Sequence, residues 1–219
     1  MIKIDSDCYG TILLVWAIVL LLGFVVIRFT SVAAVRIPLL VLLGVFGCFV
    51  TWFHRVPERE TPAGDAGTVT AVADGKILQI LPAYEGEYLK RDCMLVSIYM
   101  NFFDVHANFW PMDGTVSYYK YHPGKYLLAF HPKASEKNEH SSTVIRSEKG
   151  ELLFKQIAGT FARRIVIYSK KGEPVRRGAQ CGIIKFGSRI DMYLPLDAEI
   201  KVKVGDLTRA CETVIAQLK

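Results

Sequence analysis

The chain has 219 residues, 51% of them hydrophobic, and a net charge of +6. The length suffices for one compact domain with its own core, and the basic balance lacks the aromatic-basic pattern of a nucleic-acid module, so no nucleic-acid partner is expected. The five cysteines, Cys8, Cys48, Cys93, Cys181 and Cys211, are an odd number without metal-ligand spacing. They exclude a disulfide framework and a zinc signature, and point to reduced, mostly buried thiols in a cytosolic compartment, with no metal expected.

Residues 11–27 and 37–53 carry no charge. As helix each run is roughly 26 Å long, slightly short of a ~30 Å hydrocarbon core, and Tyr9, Phe29 and Trp52 can extend the spans. The short link at 28–36 makes a helical hairpin the simplest arrangement, with a re-entrant or in-plane anchor as the alternative. A signal peptide fits poorly, because a second apolar run follows and no small-residue cleavage site stands out. Lys3, Arg28, Arg36, His54, Arg55 and Arg59 give a weak positive-inside bias. Both ends are assigned to the cytoplasmic side of the cell (inner) membrane. Residues 1–56 are then a membrane anchor, 57–67 a turn-rich linker, and 68–219 a separate domain.

Beyond the linker the chain repeats itself. Ala73-Asp74-Gly75-Lys76-Ile77 recurs as Met112-Asp113-Gly114-Thr115-Val116 and as Leu196-Asp197-Ala198-Glu199-Ile200. Each is followed by a glycine element: Gly86-Glu87-Tyr88-Leu89, Gly124-Lys125-Tyr126-Leu127 or Gly205-Asp206-Leu207-Thr208. A further copy is Gly172-Glu173-Pro174-Val175. Asp-Gly pairs make tight turns, and the β-branched runs 165–167 and 200–204 read as strands. The fold class is therefore mainly β, a domain like the barrel-sandwich hybrid of lipoyl and biotinyl carriers. Residues 132–147 are polar and charged, and read as an exposed loop.

Of the five histidines, His54 lies at the membrane edge, His140 in the polar loop and His122 in a turn before Pro123-Gly124. His131 ends an apolar run. His106 is the most suggestive, because it stands among polar groups and aromatics in Asn101-Phe102-Phe103-Asp104-Val105-His106. No nucleophile elbow, phosphate loop or dinucleotide fingerprint is present.

This last segment belongs to an ordered set. It continues with Pro111-Met112-Asp113-Gly114-Thr115-Val116, Tyr121-His122-Pro123-Gly124-Lys125, Lys137-Asn138-Glu139, Gln156-Ile157-Ala158-Gly159, Ala162-Arg163-Arg164-Ile165 and Phe186-Gly187-Ser188-Arg189. In this order the set resembles the short, membrane-anchored phosphatidylserine decarboxylases, from about Val72 to the C-terminus. The resemblance implies a proenzyme that cuts itself between Gly187 and Ser188. Ser188 attacks the Gly187 carbonyl, the resulting ester is eliminated, and Ser188 becomes a covalent pyruvoyl cofactor at the start of a tail of residues 188–219. That ketone forms a Schiff base with the serine amine of phosphatidylserine, and loss of CO₂ leads to phosphatidylethanolamine.

By the same resemblance, Asp74 assists self-cleavage, although an ordinary turn role like that of Asp113 competes. His106 lies near the substrate carboxylate or carbanion. Phe109 stands where many members have a second histidine, so either another group such as His131 supplies the base, or Asp74 and Ser188 manage without it. Arg189 either attracts the anionic headgroup or has a simple surface role. The implied partners are phosphatidylserine in the membrane, the two self-cleaved chains with each other and, as an open alternative, a second copy of the protein. The competing class is non-enzymatic: a membrane-anchored barrel-sandwich adaptor or carrier. The absence of a heptad run and of a lysine at a suitable hairpin tip counts against it.

Overall fold

The computed structural model describes residues 2–125, 138–159, 164–168, 170–185 and 188–219. The chain forms two compact units, Met1–Glu58 and Arg59–Lys219.

In the first unit, β1 (Ile2–Ile4) pairs antiparallel with β2 (Arg55–Pro57), and between them run α1 (Tyr9–Phe29) and α2 (Ala33–Phe53), 21 residues each. Both helices are long and apolar enough to cross a membrane. They pack on each other where Trp16 lies over Gly47 and donates its Nε1–H to Thr51 Oγ1 at 3.0 Å. Leu13, Phe24, Leu42 and Phe46 are exposed, leaving apolar surface that suits a lipid surrounding. All five cysteines are free thiols, four of them buried, with Cys48 exposed on α2.

The second unit is built from antiparallel strands: β3 (Thr68–Thr70), β4 (Gly75–Glu85), β5 (Arg91–Met100), β6 (Ala107–Phe109), β7 (Gly114–His122), β8 (His140–Ser147) and β9 (Gly150–Ala158). They continue with β10 (Arg164–Ile167), β11 (Pro174–Val175), β12 (Gln180–Lys185), β13 (Ser188–Pro195), β14 (Glu199–Ile200), β15 (Leu207–Thr208) and β16 (Val214–Gln217). The main sheet has the order β11-β7-β8-β9-β13-β5-β4-β15, and it is flanked by β10-β12-β6 and β14-β16-β3.

Alternation puts Ile98, Met100, Phe154, Ile190, Met192 and Leu194 into the main core, while Leu95, Val144, Leu153 and Tyr193 face the other way. The sheet curls so that the β4–β5 hairpin tip closes over its second face. There Tyr88 packs on Tyr118 of β7, with ring centroids 4.7 Å apart.

The Asp-Gly repeat is a structural repeat. Gly75 and Gly114 each open a long strand, β4 and β7, pressed so closely on a neighbouring carbonyl, of Tyr99 and Arg146 respectively, that a Cβ would collide with it. Each strand then has a bulge two residues on. Each is covered by a short strand that arrives after a glycine turn: Ile77 bonds Asp206 and Gly205 in one unit, and Val116 bonds Glu173 and Gly172 in the other.

Two expectations fail. Residues 138–147, read as part of an exposed loop, are largely the buried strand β8. Their polarity misled because the side chains are satisfied inside: Ser141 donates to Gln156 Oε1 at 2.8 Å and Ser142 to Glu87 Oε2 at 2.7 Å. The run 200–204 contributes only Ile200 to a strand, since Lys203 N–H bonds the Asp206 carboxylate and starts the turn early.

Candidate active site

Ser188 is the first residue of β13, the strand held between β9 and β5. Its ladder partners are Met100 and Ala158. Gly187 and His131 lie outside the described residues. Three segments of the motif set converge on this row of the sheet. Met100, opposite Ser188, leads into the Asn101–His106 turn, which is fixed by Asn101 N–H to Asp104 Oδ2 at 2.7 Å and Phe103 N–H to Asn101 Oδ1 at 2.7 Å. Ala158, on the other side, receives Asn138 Nδ2–H on its carbonyl at 2.7 Å, and its own N–H bonds the Glu139 carbonyl. Gly124 lies so tightly against Asn138 and Glu139 that no side chain fits there.

His106 is fully buried. Its carbonyl accepts Ile184 N–H at 3.1 Å, which fixes it beside β12, the strand that ends at Lys185, three residues before Ser188. Its Nδ1 lies 3.0 Å from the Asp104 carbonyl oxygen, an acceptor. In the neutral ring the proton is therefore on Nδ1 and the lone pair on Nε2.

Asp74 immediately precedes Gly75, whose neighbour across the ladder is the end of β5. It is thus two strands from Ser188, roughly 10 Å at ordinary strand spacing. Its carboxylate is gripped by both guanidinium nitrogens of Arg59, one at 2.8 Å from Oδ2, and accepts Ala210 N–H at 2.8 Å. Both side chains are largely buried, so this is a desolvated, forked ion pair.

Two readings of individual side chains are corrected. Arg189 meets neither solvent nor an incoming headgroup: it is buried, with Nε 2.6 Å from Asp191 Oδ1 and a second nitrogen 3.1 Å from Ser97 Oγ. The two residues alternate to the same face, so Asp191 neutralises Arg189 within one strand. His122 is the last residue of β7, not a turn residue, and its ring stacks on His140 at 4.3 Å. Phe109, in the place of the family's second histidine, is a buried ring on β6.

Sequence reasoning gave no role to a buried polar string beside Ile190 on the main-core face of the sheet. Ser141 donates to Gln156, and Gln156 Nε2 donates to Asn108 Oδ1 at 2.8 Å. Asn108 Nδ2 points at Met100 Sδ, 4.0 Å away, toward the ladder partner of Ser188. The signal was present, since both amides sit among apolar residues inside quoted or adjoining segments. Buried thiols offer no competing nucleophile: burial drives Cys181 well up and Cys211 up to about 12.

Ser188 thus opens a central strand of a curled β sheet, in ladder with Met100, which leads into the turn that carries the buried His106. The comparisons specify the class. The family model described as phosphatidylserine decarboxylase matches residues 46–216. A phosphatidylserine decarboxylase proenzyme of Cytophaga hutchinsonii is 39% identical over 98% of both chains. Those of Amoebophilus asiaticus and Salinibacter ruber are each 44% identical, over 78% and 84% of this chain and 76% and 82% of theirs. The chain belongs to the phosphatidylserine decarboxylase family, and is an enzyme of that kind.

Proposed function

We propose that the protein decarboxylates phosphatidylserine to phosphatidylethanolamine, using a pyruvoyl group made from Ser188 by self-cleavage after Gly187. The observation that carries this reading is the convergence of the separated motif segments on the row of the sheet that Ser188 opens. In the cut, the Ser188 hydroxyl adds to the Gly187 carbonyl and the peptide nitrogen leaves as a free amine, converting the amide to an ester; loss of the Ser188 Cα proton then expels the Gly187 carboxylate, and the dehydroalanine left behind takes up water and releases ammonia to give the pyruvoyl group. Asn108 Nδ2, aimed toward this row, donates to the oxyanion. Asp74 assists from the adjoining strand end.

A pyruvoyl ketone supplies an electron sink for the charge left when CO₂ departs. Around it, His106 Nε2, whose lone pair takes up the proton released as the substrate amine adds, returns that proton to the carbon that CO₂ leaves, and the buried amides orient the substrate and exclude water. Phe102 and Phe103, exposed beside the site, suit a substrate with acyl chains. The apolar hairpin anchors residues 1–56 in the inner membrane, with the 68–219 domain on the cytoplasmic side and 57–67 as the linker. The two chains stay together after cleavage, because β13 lies between two strands and buries Ile190, Met192 and Leu194. A second copy of the protein remains a candidate partner.

The test is a gel and a lipid assay on one preparation. Wild type splits and turns over phosphatidylserine, and Ser188→Ala stays a single, inactive chain. Turnover by an unsplit wild type overturns the reading.

A further inference from the structure

We propose that Glu87, His122 and His140 form a binding site for one divalent transition-metal ion of the zinc type. Their ligand atoms all lie within 4.8 Å of one another, and they come from the β4–β5 hairpin tip, the end of β7 and the start of β8. Two imidazoles and a carboxylate form a familiar zinc donor set.

The supporting contacts suit ligation. His140 Nδ1 is 2.8 Å from the Asn138 carbonyl oxygen, which places its proton there and leaves Nε2 as the donor atom. Glu87 is oriented by Tyr118 Oη at 3.0 Å and Ser142 Oγ at 2.7 Å. Among the described residues, the cation beside Glu87 is Lys155, 3.5 Å away and shared with Glu85 at 3.8 Å. Glu85 is buried and held by the N–H groups of Glu87, Tyr88 and Leu89, so the pocket retains negative charge for a metal.

Ligands at 2.0–2.1 Å in tetrahedral array stand about 3.3 Å apart. His122 Nε2 and Glu87 Oε1, now 2.6 Å apart, would open, and the His140 side would close in. The ion would replace the proton the first two share, and would bolt the hairpin tip to β7 and β8. This site is separate from the Ser188 row: His140 and Ser142 point to the opposite face of the sheet from Ser141 and Gln156. The proposal does not depend on the decarboxylase reading.

The test uses the full chain, purified in detergent and stripped with chelator. Cobalt(II) is titrated by its visible ligand-field absorption, then displaced by zinc. Wild type should take up one equivalent. His140→Ala should weaken zinc binding at least about a hundredfold, beyond the roughly 10–100-fold typical of losing a supporting partner, and Ser142→Ala should fall in that lesser range. His122→Gln keeps a hydrogen-bond donor for Glu87, so its loss of binding with an unchanged far-ultraviolet spectrum separates ligation from folding. Absence of ligand-field bands, or zinc affinity unchanged in both histidine variants, overturns the proposal and leaves a His–Glu ion pair beside a stacked ring.

Discussion

Two copies of one structural unit sit at different places in the main sheet. In one, Asp74 and Gly75 open β4, which is capped by β15; in the other, Asp113 and Gly114 open β7, capped by β11. In both, the aspartate accepts a backbone N–H from the second residue after the cap strand, Ala210 at 2.8 Å and Arg177 at 2.9 Å. The tight turn thus explains why each position is Asp. It does not explain the difference between them. Asp113 is exposed, whereas Asp74 carries a buried arginine and lies at the end of the sheet where Ser188 begins β13. Shared geometry marks a folding role, and the added Arg59 and the location are where a catalytic role would reside.

The largest effect tests this difference directly. Asp74→Ala removes the forked carboxylate partner of the buried Arg59, leaving it the Ala210 carbonyl at 3.1 Å and Glu212 at 3.9 Å, and should cost about 3 kcal/mol, whereas Asp113→Ala removes one exposed hydrogen bond and should cost about 0.5–1.5 kcal/mol, read by chemical denaturation. The double variant Arg59→Met, Asp74→Leu sharpens the comparison by replacing the pair with apolar groups. Restored stability without restored chain splitting assigns Asp74 to the cut. Restoration of both reduces it to the structural role of Asp113.

His106→Ala should permit splitting but lower phosphatidylserine turnover about 10²–10⁴-fold, as loss of a proton-transfer group does. An uncut His106→Ala together with a normally cut Asp74→Asn would reverse the two assignments.

A smaller effect concerns the hairpin tip that closes over β7. Burial raises the Glu87 carboxyl pKa, but hydrogen bonds from Ser142 and His122 and the charge of Lys155 outweigh it and bring it down to about 2. A pKa depressed in the folded state stabilises the fold above the unfolded value near 4.5, and that stabilisation is lost as pH falls from 4.5 through 2. Glu87→Gln should therefore flatten the acid limb of a melting-temperature profile. An unchanged acid limb would remove Glu87 from the closure.

The smallest effect on chemistry should come from deleting residues 1–53. The remaining chain should leave membranes in high salt and still split. Tight membrane binding by the truncated chain would place the main anchor elsewhere.

The apolar helices and the Asp-Gly units were legible in sequence, since an uncharged run and an obligatory turn each have one physical meaning. Strand β8 was not, because His140, Ser141, Ser142 and Thr143 read as surface until Gln156 and Glu87 arrive from distant strands. Arg189 failed for the same reason, its partner Asp191 being hidden by alternation to the same face. The Glu87–His122–His140 cluster has no spacing signature, because its members come from three elements. Ser188 and His106 were reached through the motif set and Asp74 through the Asp-Gly repeat; that the start of β4, the end of β5 and the start of β13 meet emerged only from their pairing.

The central claim is that Ser188 ends as the blocked first residue of a separate chain. Intact mass spectrometry of the purified protein tests it most directly. The account predicts two species, residues 1–187 and 188–219, the second lacking a free amine and matching a pyruvoyl terminus, with Ser188→Ala at one full-length mass. A single full-length mass for catalytically active wild type, or a tail that begins with an ordinary serine amine, would contradict it.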